Sequence, residues 1–242
     1  MTKKIALATG NKHKLKEVKE IFGDEIEILS MSEAGCTLED IEENGKSFEE
    51  NSYIKSSAVS ENTGIPSMAD DSGIVCDGVS DIENGILYPG IISARFFETL
   101  KEMFVNESDE AKSSHPFLYE RVKELLCDAK RAIEETDKKY TSKDEKNFRI
   151  LLEIMKDVTK RDCRFVCAAT YVDIRSGERI CSVGTCEGKL LYEPDTTGNG
   201  FGYDPIFFSL DCQKPVSSLT DDEKNAISHR GNAMRELRKK LF

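Results

Sequence analysis

Asp70 and Asp71 stand side by side in Met68-Ala69-Asp70-Asp71-Ser72-Gly73, bracketed by the apolar pairs Ile65-Pro66 and Ile74-Val75. Adjacent carboxylates repel each other, so a chain that folds them between apolar segments needs a compensating cation or bound protons, and a divalent metal is the simplest candidate. The flanks read as short strands, Gly73 allows a turn between them, and Ser72 adds a hydroxyl beside the acids. An acidic surface turn is the other reading of the same residues. Deciding between the two requires the rest of the chain.

A chain of 242 residues can bury a sizeable core, either as one large domain or as two lobes around a cleft. Its 38% hydrophobic and 33% charged content suits a soluble, well-hydrated globular protein. The net charge of −11 argues against a general nucleic-acid or membrane-surface binder, because phosphate backbones and anionic lipids call for a broad basic surface. A small basic pocket for one nucleotide is compatible with it. No apolar run approaches the ~20 residues of a membrane helix. Met1-Thr2-Lys3-Lys4 leads straight into a strand-like segment without a signal-type apolar region, so a cytoplasmic protein is expected. The eight cysteines include no Cys-x-x-Cys pair, and with three histidines a zinc site would need scattered cysteines to converge. Most read as reduced core or strand residues.

Lys4 to Ala8 reads as a buried strand and Lys12 to Phe22 as a helix with Leu15, Val18 and Phe22 on one stripe. Thr9-Gly10-Asn11 is the bend between them. Such a bend presents backbone N–H groups at a helix N-terminus, a favourable place for an anion, with Lys12 and Lys14 adding charge; it is equally a plain strand-helix connection. Glu27 to Leu29 is a second strand. Ser47-Phe48-Glu49-Glu50 has capping-box spacing and opens a helix to about Thr63, with Phe48, Ile54 and Ala58 inward and Asn51 and Lys55 four apart on a neighbouring face. From about Glu98 to Asp144 the chain is highly charged and nearly glycine-free, and Leu118, Val122, Leu125, Ala129 and Ile133 keep a helical interval over several turns. Phe148, Leu151, Leu152 and Met155 mark another helix. Arg164 to Ile174 and Arg179 to Leu191 form a hairpin signal. In the loop from Glu193 to Asp204, Gly198, Gly200 and Gly202 lack dinucleotide-fold spacing, and they read as letting a backbone approach a ligand beside the rings of Phe201 and Tyr203. A second capping-box pattern at Thr220 to Glu223 opens a basic helical segment to Phe242.

Five ordered stretches then form one pattern: Thr9-Gly10-Asn11-x-x-Lys14; Ala69 to Gly73; Pro89-Gly90-Ile91-x-Ser93-Ala94-Arg95; Gly200-Phe201-Gly202-Tyr203-Asp204-Pro205-Ile206-Phe207; and Glu223 to Gly231. Together they closely resemble the inosine/xanthosine triphosphate pyrophosphatases, the Ham1-like family of non-canonical purine nucleoside triphosphate pyrophosphatases. The resemblance implies an α/β fold, an elongated two-lobed mixed sheet with flanking helices and a central cleft, formed by a single domain over residues 1–242 and usually assembled as a homodimer. It implies magnesium-dependent hydrolysis of a purine nucleoside triphosphate (ITP, dITP, XTP) to the monophosphate and pyrophosphate, clearing such nucleotides from the pool. By motif match, Asp71 is the general base and a metal ligand, Glu43 the other metal carboxylate, and Asp70 a neighbour that shares the metal. Thr9, Gly10, Asn11, Lys12, His13 and Lys14, with Lys55, Ser72 and Lys224, hold the phosphates. Phe201 stacks on the base, Gly202, Tyr203 and Asp204 shape that wall, and His229 and Arg230 read a keto group at purine position 6, where adenine offers an amino donor instead. An ideal helix would set Lys224 and His229 well apart around its axis, so a break near Ser228 is expected.

Two departures stand out: extra residues around Ser80 to Leu87 and a helical insertion at approximately 98–143, which typical bacterial members replace with a shorter segment. Neither removes a motif residue. Two further readings compete. A Maf-like nucleotide pyrophosphatase with another base preference lacks the Ser228-His229-Arg230 and Phe201-Gly202-Tyr203-Asp204 motifs, and a silent nucleotide binder would need no water-activating acid.

Overall fold

The computed structural model describes residues 3–23, 26–198 and 200–242, and of His13 and Asp221 the backbone alone. The side chain of His13, expected in the phosphate loop, thus lies outside the described residues. Strands β1 (Lys3–Leu7), β2 (Ile26–Leu29), β3 (Ser67–Cys76), β4 (Asp162–Asp173), β5 (Glu178–Leu190), β6 (Phe207–Ser209) and β7 (Lys214–Pro215) form one open sheet in the order β2-β1-β3-β4-β5-β6-β7. β1 pairs parallel with β2 and β3, and β6 pairs antiparallel with β5 and β7, so the sheet is mixed. The flanking helices are α1 (Lys12–Phe22), α2 (Phe48–Thr63), α3 (Phe96–Phe104), α4 (Asp109–Ser114), α5 (Pro116–Leu125), α6 (Ala129–Lys139), α7 (Lys143–Ile154), α8 (Asp221–Ile227) and α9 (His229–Leu241). No helix among the described residues is long and apolar enough to cross a membrane. The chain divides into two compact units, the first comprising Met1–Ser72, Val166–Cys186 and Asp222–Phe242, the second Gly73–Phe165 and Glu187–Asp221.

In the first unit β1 is buried on both faces, as a parallel strand covered by helices must be. Ile5 and Leu7 pack with Val18 and Phe22 of α1 and with Met234 and Leu237 of α9. Ala6, with Ala69 of β3, meets Val59 of α2 on the other face. That second face is made of small residues, and α2 answers in kind. Of the expected inward set only Phe48 is fully buried, while Ile54 and Ala58 are half-buried; the buried face is Asn51, Ser52, Ser56, Val59 and Ser60. Serines can occupy that face because each hydroxyl finds a partner: Ser52 Oγ lies 2.6 Å from Thr170 Oγ1, and Ser56 Oγ donates to the Ser52 carbonyl at 2.9 Å. The helix starts where its capping residues predict, with Ser47 Oγ accepting from Glu50 N at 3.2 Å, a contact worth about 1 kcal/mol. It stops at Gly64, whose φ is 65°.

In the second unit Phe165 and Phe207 stack with ring centroids 4.3 Å apart. The periodic stripe from Leu118 to Ile133 is split between two helices rather than carried by one. α5 ends at Leu125, and Asp128 caps α6 by accepting from Arg131 N at 3.0 Å. The apolar interval runs through the break unchanged, while an aspartate with a free N–H three residues ahead prefers to start a helix. Helices α3, α6 and α7 meet at Asp137, whose two oxygens take Lys101 Nζ at 2.7 Å and Lys146 Nζ at 2.6 Å.

Candidate active site

The acidic stretch is not a turn. β3 runs unbroken from Ser67 to Cys76, and successive side chains of a strand point to opposite faces. The repulsion that called for a compensating cation is relieved by the sheet itself, which puts Asp70 and Asp71 in separate environments, each beside its own cations.

Asp70 shares its face with Met68 and is 2% exposed. One oxygen, Oδ2, accepts from Lys14 Nζ at 2.8 Å and from Arg230 Nε at 3.0 Å. Burial alone would raise this carboxyl; Lys14 and Arg230 outweigh it and hold the group well below the usual carboxylate range. Arg230, itself buried, is kept fully protonated mainly by Asp70. Its other nitrogens reach Glu17 Oε2 at 3.3 Å and Ser72 Oγ at 3.3 Å. Glu17 also accepts from Ser228 Oγ at 3.1 Å, and that oxygen in turn accepts from Gly231 N at 2.9 Å, capping α9. The expected break is therefore present, with α8 ending at Ile227 and Ser228 extended at φ −60° and ψ 139°. His229 opens α9, where burial and the adjacent Arg230 push its pKa down to about 3, leaving a neutral imidazole.

Asp71 faces α2. It accepts from Asn51 Nδ2 at 3.0 Å, and Lys55 Nζ lies 3.4 Å from its Oδ1. The same ammonium is 2.7 Å from Glu43 Oε2, so two carboxylates converge on one cation. Burial raises the Asp71 carboxyl more than Lys55 and Asn51 lower it. Lys55 would lose its proton more easily on burial alone, but Asp71 and Glu43 reverse that. Among the described residues no cluster of three or more His, Cys, Asp or Glu could hold a metal. Two carboxylates are what a magnesium ion takes when waters and phosphates complete its shell.

Between β1 and α1, Asn11 N donates to Thr9 Oγ1 at 3.2 Å, and Asn11 Oδ1 accepts from Lys14 N at 3.4 Å. Gly10, Asn11 and Lys12 are exposed at this helix N-terminus, a place whose dipole favours an anion. In the second unit, Phe201 to Asp204 closes a tight turn. Asp204 N donates to the Phe201 carbonyl at 3.2 Å, and Asp204 Oδ2 accepts from Phe201 N at 3.1 Å. Phe201 is 57% exposed, whereas Tyr203 is buried with its hydroxyl donating to Ser93 O at 2.8 Å. Two glycines of this loop serve its packing: a Cβ on Gly198 would collide with the Ser217 carbonyl, and one on Gly200 would meet Asp204 and Ser217. At Gly202, with φ 59°, a Cβ would meet nothing within 4 Å, so of the three glycines only Gly198 and Gly200 are required by packing inside the loop.

The sequence profile of the Ham1 family matches residues 5–117 and 130–240. The chain belongs to the Ham1 family. A relative from Clostridium perfringens named dITP/XTP pyrophosphatase is 36% identical over 99% of this chain and 97% of its own, and one of the same name from Aquifex aeolicus is 33% identical over 97% and 94%. A HAM1 protein from Coxiella burnetii superposes with a TM-score of 0.70 at 29% identity, covering 99% of this chain and 98% of that one. The Ham1 profile passes over residues 118–129, which lie in α5, the link after it and the first residue of α6.

Within this Ham1 protein the first unit brings together Glu43, Lys55 and Asp71 on one face of β3, and Lys14, Ser72 and Arg230 around Asp70 on the other. Asp70 and Asp71 are not brought together. Two contributors lay outside the expected site. Glu17 binds Arg230, and its spacing of three from Lys14 along α1 was the available signal. Asn51 fixes Asp71 and is four residues from Lys55, a spacing that showed a shared direction without naming the target.

Proposed function

We propose that this protein is a nucleoside triphosphate pyrophosphatase that hydrolyses the non-canonical purine nucleotides dITP, XTP and ITP to the monophosphate and pyrophosphate. The observation that carries the reading is the Glu43–Lys55–Asp71 constellation: two acids on one cation, one of them with a raised pKa and fixed by Asn51. The names of the full-length relatives supply the substrate class.

Glu43 and Asp71 are the residues that would hold a magnesium ion, since hard carboxylate oxygens already converge on a positive charge there. Bound, that ion would neutralise phosphate charge and favour departure of pyrophosphate. Asp71 takes the proton from the attacking water, for which a raised carboxyl pKa is suited. The new bond forms from that water oxygen to the inner phosphorus, and the bond from this phosphorus to the oxygen bridging to the second phosphate breaks. Lys55, Lys14, Lys224 and Ser72 and the loop from Thr9 to Lys14 bind the phosphate chain. Asp70 is assigned no metal; it anchors Lys14 and Arg230. In the second unit Phe201 stacks on the purine, supported by Gly202, Tyr203 and Asp204. The neutral His229 and Arg230 serve a 6-keto group, where adenine presents an amino donor instead of an acceptor. A homodimer in the cytoplasm belongs to the same proposal, in keeping with eight cysteines that all stand as free thiols.

With magnesium, the protein is expected to release pyrophosphate from ITP, dITP and XTP at a kcat/KM about 10²-fold or more above that for ATP. Product analysis by phosphorus NMR checks it. Equal turnover of ATP would overturn the base assignment, and orthophosphate as first product would overturn the bond assignment.

A further inference from the structure

Phe201 presents an exposed ring that its own packing holds only in part, so its orientation falls to the backbone beneath it. The turn from Phe201 to Asp204 has Gly202 at its first central position with φ 59° and Tyr203 at its second with φ −95° and ψ 3°, the pattern of a type II′ turn. In such a turn the N–H of the first central residue lies outside the internal hydrogen bond and is open to an acceptor from elsewhere. That acceptor is Asp144, whose Oδ2 lies 3.0 Å from Gly202 N. Asp144 sits in the first turn of α7, where the chain leaves the charged helical segment. α7 is itself pinned to α6 and α3 through Lys146, Asp137 and Lys101, so the carboxylate is carried by a fixed helix.

We propose that Asp144 is a positioning residue for nucleotide binding: it locks the Phe201–Gly202 peptide and so sets the plane of the base-stacking ring. The helical segment before it thereby gains a role, as the support from which that lock is applied. The inference rests on the assignment of Phe201 to base stacking. A ring already fixed in its bound orientation spares the ordering cost that a mobile one incurs on binding.

The test compares Asp144→Ala with Asp144→Asn, whose amide oxygen can still accept from Gly202 N. Asp144→Ala is expected to raise KM for ITP about five-fold, the loss of one such hydrogen bond, with kcat within about two-fold of wild type. Asp144→Asn should stay near wild type. A purely structural contribution to the start of α7 would lower the melting temperature of both variants and leave KM alone, which would overturn the proposal. So would an equal rise of KM in both variants, since charge and not the hydrogen bond would then be at work. The chain contains no tryptophan, so Phe201→Trp places a single reporter at the ring. Its fluorescence anisotropy without nucleotide should fall when Asp144→Ala is added and hold with Asp144→Asn; no fall would overturn the proposal independently of activity. Should Phe201→Ala leave KM unchanged, the stacking assignment fails and with it the role in binding. The anisotropy result would still separate that failure from a failure of the lock itself.

Discussion

Asp71→Asn should lower kcat for ITP by about 10³-fold while the protein stays folded and still binds nucleotide. The substitution keeps the shape of the side chain and an oxygen that can accept from Asn51 Nδ2, the 3.0 Å contact that fixes it. It removes the negative charge facing Lys55 and the only group in the constellation whose raised pKa suits it to take a proton from water. Glu43 cannot substitute, because it lies against Lys55 without a comparable positioning contact and is more exposed, at 36% against 14%. Single-turnover kinetics, with nucleotide binding measured by calorimetry in calcium, separates the two steps. A variant that turns over within ten-fold of wild type would show that another group accepts the proton.

The same acid pair shows where sequence reasoning reached and where it stopped. Apolar periodicity located β1, α1 and the β4–β5 hairpin, and capping residues located the start of α2, because those signals are local and the structure uses them locally. The break before His229 was legible for a different reason: Lys224 and His229 can serve one ligand only if the helix is interrupted, and Ser228 supplies the cap. The strand through Asp70 and Asp71 was not legible. A pair of adjacent charges looks like a turn until the sheet sends them to opposite faces, where Lys14 and Arg230 arrive from residues 56 and 160 positions away. The serine face of α2 was hidden similarly, since Ser52, Ser56 and Ser60 look polar in sequence and are buried with hydroxyls satisfied by Thr170 Oγ1, the Ser52 carbonyl and Ile174 N. The gap between α5 and α6 escaped because the apolar interval continues across it.

Asp70→Asn should destabilise the protein by about 3–5 kcal/mol, read from urea unfolding at neutral pH. The buried oxygen at this position is shared by two cations, and neutralising it leaves Lys14 without its carboxylate and Arg230 with Glu17 alone. The folded-state pKa of Asp70 lies below its unfolded value of 3.8, so its contribution to stability is complete above that pH and declines as acid is added. The deficit of the variant should therefore be constant through neutral pH and shrink below about pH 4. Replacing Arg230 by Met should cost less in the Asp70→Asn background than in the wild type, because its ion pair with Asp70 is already lost there. A deficit under about 1 kcal/mol would mean that solvent reaches this carboxylate and screens it. Set beside the first prediction, this outcome divides the acid pair: one neighbour is expected to lose rate with little loss of stability, and the other to lose stability before any rate is measured.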